Sequence, residues 1–115
     1  MIVVTRCDRC ITVTGHANYA PHGQDIVCAA VSTLAQTLIA SIEELTADAI
    51  DYEIDSGNIY IKHHNLTNEA QLLVDAFFVG VNAVAAAYPN HVKINYKYPI
   101  SNIVTLGVKD LMYKF

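Results

Sequence analysis

Apolar positions along this chain switch repeatedly between a period of two and a period near 3.6, and the switches mark its elements. Ile2–Thr5 and Ile11–Thr14 are short β-branched runs divided by a polar cluster, the pattern of a hairpin. From Val27 the spacing changes: Val27, Val31, Leu34, Leu38, Ile42 and Leu45 share one face of a helix that ends near Thr46. Ile50, Tyr52 and Ile54 then alternate with Asp51, Glu53 and Asp55, predicting a half-buried strand with an acidic outer face. Ser56-Gly57-Asn58 carries turn chemistry, and Ile59 and Ile61 form the return strand. A second helix opens near Thr67 or Asn68; with Asn68 as its cap, Gln71 supplies a loose capping box. One stripe of this helix runs through Ala70, Leu73, Val74, Phe77, Val81, Val84, Ala85 and Tyr88. Another runs through Leu72, Ala76, Val79, Ala83 and Ala86, and Pro89-Asn90 stops the helix. Val92, Ile94, Tyr96 and Tyr98 form the last strand.

The order ββαββαβ, with one apolar face per strand, predicts an α+β fold: two helices layered on a mainly antiparallel sheet. The 115 residues fit one domain, placed at 1–98. Residues 99–115 are a C-terminal extension in which Val104, Val108, Leu111 and Phe115 keep helical spacing and Gly107 works against it. A second helix apolar on nearly all sides implies burial on both faces, hence a homodimer.

Composition narrows the partners. The net charge of −4 argues against nucleic acid, whose phosphates require a basic stripe. The absence of a long apolar run or a signal-peptide pattern predicts a cytoplasmic protein without a membrane partner. The three cysteines are expected as free thiols, Cys7 and Cys10 flanking a tight turn with no second pair to complete a metal site. Glu43, Glu44, Asp48, Asp51, Glu53 and Asp55 read first as a solvated face, with steering of a basic partner as the alternative.

Chemistry concentrates between Gly15 and Ser32. Asp25 is a plausible N-cap, its carboxylate accepting from the N–H of Val27 or Cys28, with orientation of the His16 imidazole as the alternative role. Cys28 then falls in the first helical turn, where the helix dipole stabilises a thiolate, and His16 precedes it by twelve positions. The pair is raw material for a cysteine nucleophile with a histidine base, and N–H groups of the first turn are candidate oxyanion donors. The intervening loop contains Tyr19 and His22, expected to face a substrate. Gly15 and Gly23 stand at its ends as hinges of a lid that orders around a matching peptide. The alternative is a non-catalytic dimeric adaptor whose Cys28 only fills space.

Gly15-His16-Ala17, Tyr19-Ala20, Gly23 and Asp25-Ile26-Val27-Cys28-Ala29-Ala30-Val31-Ser32 together resemble the signature of the ribosomal-processing cysteine protease family, Prp. The resemblance implies a small, dimeric endopeptidase that removes the N-terminal extension of a large-subunit bacterial ribosomal protein. His16 and Cys28 would be its catalytic pair, with no metal or organic cofactor. Two departures bear on the substrate: a short first hairpin with Cys7-Asp8-Arg9-Cys10 at its turn, and the long ending from Pro99 to Phe115. A diverged protease acting on another precursor therefore stays open.

Overall fold

A computed structural model describes residues 1–97. It contains β1 (Ile2–Arg6), β2 (Cys10–Thr14), α1 (Ile26–Leu45), β3 (Asp51–Asp55), β4 (Asn58–Lys62), α2 (Asn68–Ala87) and β5 (Val92–Tyr96). The five strands form one sheet in the order β3-β4-β2-β1-β5. Neighbours are antiparallel except β1 and β5, which run parallel. The expected α+β arrangement is therefore observed, with one parallel pair.

The topology explains the two layers. Helix α1 connects β2 to β3 across β4, and α2 connects β4 to β5 across β2 and β1, in opposite directions along the sheet. Because β2 and β4 are antiparallel, the right-handed rule for such crossovers puts both helices on one face. That face carries rows of side chains in register. Ile94, Val4, Val13, Ile59 and Ile54 form one, and Tyr96, Arg6, Ile11, Ile61 and Tyr52 the next. Val4, Ile11 and Ile61 at the centre are buried, whereas Ile54 and Tyr52 at the β3 end are 46% and 42% exposed.

Strand β3 thus departs from the sequence expectation of a half-buried strand: all five residues are exposed. It lies at the sheet edge with only β4 beside it, and the helices cover the centre. Its apolar alternation records which face it presents, not burial. Asp48, which groups with this strand's acids in the sequence, has separate work. Its Oδ2 accepts from the N–H and hydroxyl of Thr67, at 2.7 and 3.0 Å.

Helix α1 buries Val27, Val31, Ala35, Leu38, Ile39 and Ile42, while Leu45 is 73% exposed past the end of the core. Helix α2 is capped by Thr67, whose hydroxyl accepts from Ala70 N–H at 3.2 Å; the alternative with Asn68 as cap is not used. Its first stripe is buried at Ala70, Val74, Phe77, Val81 and Val84, but on the second Leu72 is 68% exposed and Ala76 is exposed. Burial on both faces therefore does not occur within the single chain. Both helices are long and apolar enough by composition to cross a bilayer, and 33% and 44% of those stretches are buried within the fold.

Arg6 ties α2 to the central strand. Its guanidinium donates to Asp75 at 2.7 Å and lies 4.6 Å above the Phe78 ring. Asn82, buried within α2, donates to Phe78 O at 2.7 Å and to the Tyr96 hydroxyl at 2.9 Å, so its burial leaves no orphaned amide.

The expectation of three free thiols is corrected at the first hairpin. Cys7 and Cys10 are joined as a disulfide across the β1–β2 turn, leaving Cys28 as the free cysteine. The antiparallel pairing of β1 with β2 brings the two together: Cys7 N–H donates to Cys10 O at 2.9 Å, and their Cα atoms are 4.9 Å apart. The C-terminal extension 99–115 and Tyr98 lie outside the described residues.

Candidate active site

The loop from Gly15 to Asp25, the start of α1 and the β3–β4 turn enclose an open cleft of about 620 Å³. Its walls include His16, His22, Asp25 and Cys28 from the first two, Ser56 and Gly57 from the turn, and Ile54 and Asp55 from the end of β3. His16 and Cys28, twelve residues apart in sequence, thus meet at one cavity, together with Gly15 and Gly23. Tyr19 does not line it.

Asp25 organises both sides of the helix start. Its Oδ1 accepts from Val27 and Cys28 N–H, each at 3.0 Å, the capping role expected from sequence. Its Oδ2 turns to the loop and accepts from Tyr19 N–H at 2.9 Å and Ala20 N–H at 3.3 Å. Burial disfavours the charge, but these four donors outweigh it and hold the carboxyl below the ordinary aspartate value. With both oxygens bonded to backbone, Asp25 caps the helix and anchors the loop; no lone pair is left to orient His16.

The same bonds correct the expected oxyanion donors. The N–H groups of Val27 and Cys28 are taken by Asp25, and that of Ala29 by the Asp25 carbonyl at 3.0 Å. The backbone donor that does face the sulfur comes from the loop: Ala17 N–H points at Cys28 Sγ, 3.2 Å away. Ala17, 2% exposed, belongs to the core although it directly follows the exposed His16.

His16 lies across the tip of the β3–β4 turn. Gly57 has φ +71°, and a Cβ built there would stand 2.7 Å from His16 Nε2. Glycine at this position therefore serves twice, adopting the turn and leaving room for the imidazole. The sequence marks Gly57 as a turn residue but cannot show that a ring from another segment rests on it.

Gly15, expected as a hinge, stands in a crowded place. Its φ is +90°, its N–H donates to Gly57 O at 2.9 Å, and any Cβ would run into the Met1 carbonyl oxygen. Gly15 joins the end of β2 to the loop and bonds to the β3–β4 turn. Gly23, also at positive φ (+86°), faces open space beside a turn closed by Gln24 N–H on Pro21 O. Tyr19 turns away from the cleft and packs edge-on against Tyr88 and His91, both at 5.3 Å between ring centroids. The loop is thus held at Ala17, Tyr19 and Ala20 by contacts within the chain. Among the described residues no cluster of three or more His, Cys, Asp or Glu side chains is arranged to hold a metal.

A thiol in the first turn of a capped helix, with a backbone donor on its sulfur and an imidazole on the wall of the same cleft, has the parts of a thiol hydrolase. Residues 3–93 match the sequence profile of the family described as "Cysteine protease Prp". The ribosomal processing cysteine protease Prp of Staphylococcus aureus is 30% identical over 90 residues, covering 76% of this chain and 85% of that protein. The Bacillus subtilis protein of the same description is 30% identical over 93 residues, covering 71% and 80%. Among solved structures, the S. aureus processing protease with a covalently linked product peptide superposes with a TM-score of 0.81. That match is 28% identical and covers 84% of this chain and all of that one. The chain belongs to the Prp family of cysteine proteases.

Proposed function

We propose that this protease removes the N-terminal extension of a large-subunit ribosomal protein precursor, with Cys28 as nucleophile and His16 as general base. The observation that carries the reading is the convergence of Cys28 and His16 on one open cleft, with Ala17 N–H directed at the sulfur. The S. aureus relatives were solved with a substrate peptide and with a covalently linked product peptide, which supports a peptide as occupant of the corresponding cleft.

In this mechanism His16 takes the thiol proton and the Cys28 thiolate attacks the scissile carbonyl. The tetrahedral intermediate collapses to an acyl-enzyme as His16 returns the proton to the leaving amine. Water, deprotonated by His16, then releases the acyl group. The protein acts in the cytoplasm, where ribosomal proteins are made, and works as a homodimer. Support for the dimer is the exposed apolar stripe of α2 around Leu72 and Ala76.

The test is incubation with the extended precursor, followed by N-terminal sequencing of the product. A single new N-terminus, lost in Cys28→Ala and His16→Ala, is the expected result. An intact precursor alongside rapid iodoacetamide labelling of Cys28 would reject the substrate but keep the nucleophile. Labelling of Cys28 at the same rate in wild type and His16→Ala would reject the base.

A further inference from the structure

The amide that faces the nucleophile is held from the far side of the molecule. Ala17 N–H donates to Cys28 Sγ, and Ala17 O accepts a hydrogen bond from His91 Nδ1 at 2.9 Å, across 74 positions of sequence. A carbonyl oxygen can only accept, so Nδ1 of His91 carries the proton, in either the neutral or the charged ring. His91 is itself fixed in the α2–β5 connection. Its N–H donates to Tyr88 O at 3.0 Å, and its carbonyl accepts from Ile2 N–H at 2.9 Å. The ring stands edge-on to Tyr19, two residues beyond Ala17.

We propose that His91 is a positioning residue of the protease: its Nδ1–H fixes the Ala17 carbonyl and so keeps the next amide back aimed at the Cys28 sulfur. A hydrogen bond to an anion favours the anion, so the bond from Ala17 promotes the thiolate only while its direction is maintained. Ala17 adjoins His16, and the same anchor sets where the His16 backbone leaves the core. His91 touches neither sulfur nor substrate and acts through Ala17. The inference rests on Cys28 being the nucleophile, but not on the identity of the substrate.

Three proteins separate this role from simple packing: wild type, His91→Phe and His91→Asn. Phenylalanine keeps the ring against Tyr19 and loses the donor. Asparagine loses the ring but retains an N–H close to the position of Nδ1. The readout is the rate of Cys28 alkylation by iodoacetamide across pH, with melting temperature and precursor cleavage measured in parallel. His16, His22, Asp25 and Asp55 line the same cleft and are common to all three proteins, so differences report on position 91.

The expected result is that His91→Phe alkylates about tenfold more slowly at neutral pH, the scale of losing one hydrogen bond to a charged group. Wild-type behaviour should be largely recovered in His91→Asn. Superimposable alkylation profiles for wild type and His91→Phe would overturn the proposal, even if the variant melted lower. A wild-type protein that labels rapidly at Cys28 yet leaves the precursor intact would reject the substrate assignment alone.

Discussion

Replacing Gly57 by alanine tests whether the His16 ring works from the place it occupies. The substitution acts in two separable ways. The first is local strain: Gly57 has φ +71°, and an L-residue in the left-handed region costs roughly 1–2 kcal/mol. For a domain of this size that lowers the melting temperature by roughly 4–8 °C per kcal/mol. The second falls on the cleft. A Cβ at position 57 would lie 2.7 Å from His16 Nε2 and 3.1 Å from Cε1. Ordinary carbon contacts lie near 3.5–4.0 Å, so the ring must withdraw by about 1 Å. A displacement of that size in a reacting group can cost on the order of a hundredfold in turnover. Calorimetry reads the first effect; peptide hydrolysis and Cys28 alkylation read the second. Gly57→Asn separates them, because asparagine tolerates the left-handed region but carries the same Cβ. Both variants should lose activity to a similar extent, with the asparagine protein melting closer to wild type. In a His16→Ala background, Gly57→Ala should slow neither reaction further. Wild-type hydrolysis and alkylation rates in both Gly57 variants would refute the proposed working position of the imidazole.

Other outcomes follow from the same geometry. Gly15→Val should unfold at lower temperature as well as lose activity, because its Cβ meets the Met1 carbonyl; a valine variant with wild-type melting would support the hinge reading. Thiol titration of denatured protein kept free of reductant should count one cysteine, rising to three after reduction, since Cys7 and Cys10 are paired; three thiols at the outset would exclude the disulfide. Burial, aided by Arg6 and opposed by Asp8, holds His63 below the ordinary histidine value. The unfolded chain therefore binds its proton first, so this stabilising contribution is complete above about pH 6.5 and declines as pH falls toward and through the folded value. His63→Gln should flatten that slope in melting temperature against pH, and an unchanged slope would remove the assignment.

The elements and the cap of α1 were legible because they depend on neighbours in sequence. Asp25 three places before Cys28 is a local capping relationship, and the spacing of Val27, Val31 and Leu38 fixes which face of α1 is buried. Long-range features left weaker traces. The exposure of β3 follows from its position at the sheet edge, which requires the strand order; its alternating sequence would be the same in a central strand. His91 carries no signal either. It sits between the end of α2 and the first residue of β5, and its bond to Ala17 exists only because β5 lies parallel to β1. Gly57 gave half its meaning: turn chemistry predicts the glycine, but not the imidazole resting on it.

The loop over the cleft gains a different physical role from this arrangement. A lid ordered only by substrate would lose conformational entropy on every binding event, weakening affinity by the cost of fixing its residues. Here Asp25 accepts two of its amides, His91 holds a carbonyl, and Tyr19 is packed on Tyr88 and His91. These contacts within the chain order the loop, which lowers the entropy that a bound peptide must offset. The cost is structural dependence: the amide at the sulfur is positioned through the loop, the helix cap and the α2–β5 connection at once. Asp25→Asn therefore serves as a further probe, since it keeps one side-chain acceptor but replaces the other with a donor. If the loop anchor matters independently of the cap, this variant should retain helical content by circular dichroism while protease cleavage within Ala17–Gln24 accelerates. Equal cleavage rates in the two proteins would mean that Asp25 contributes to α1 alone.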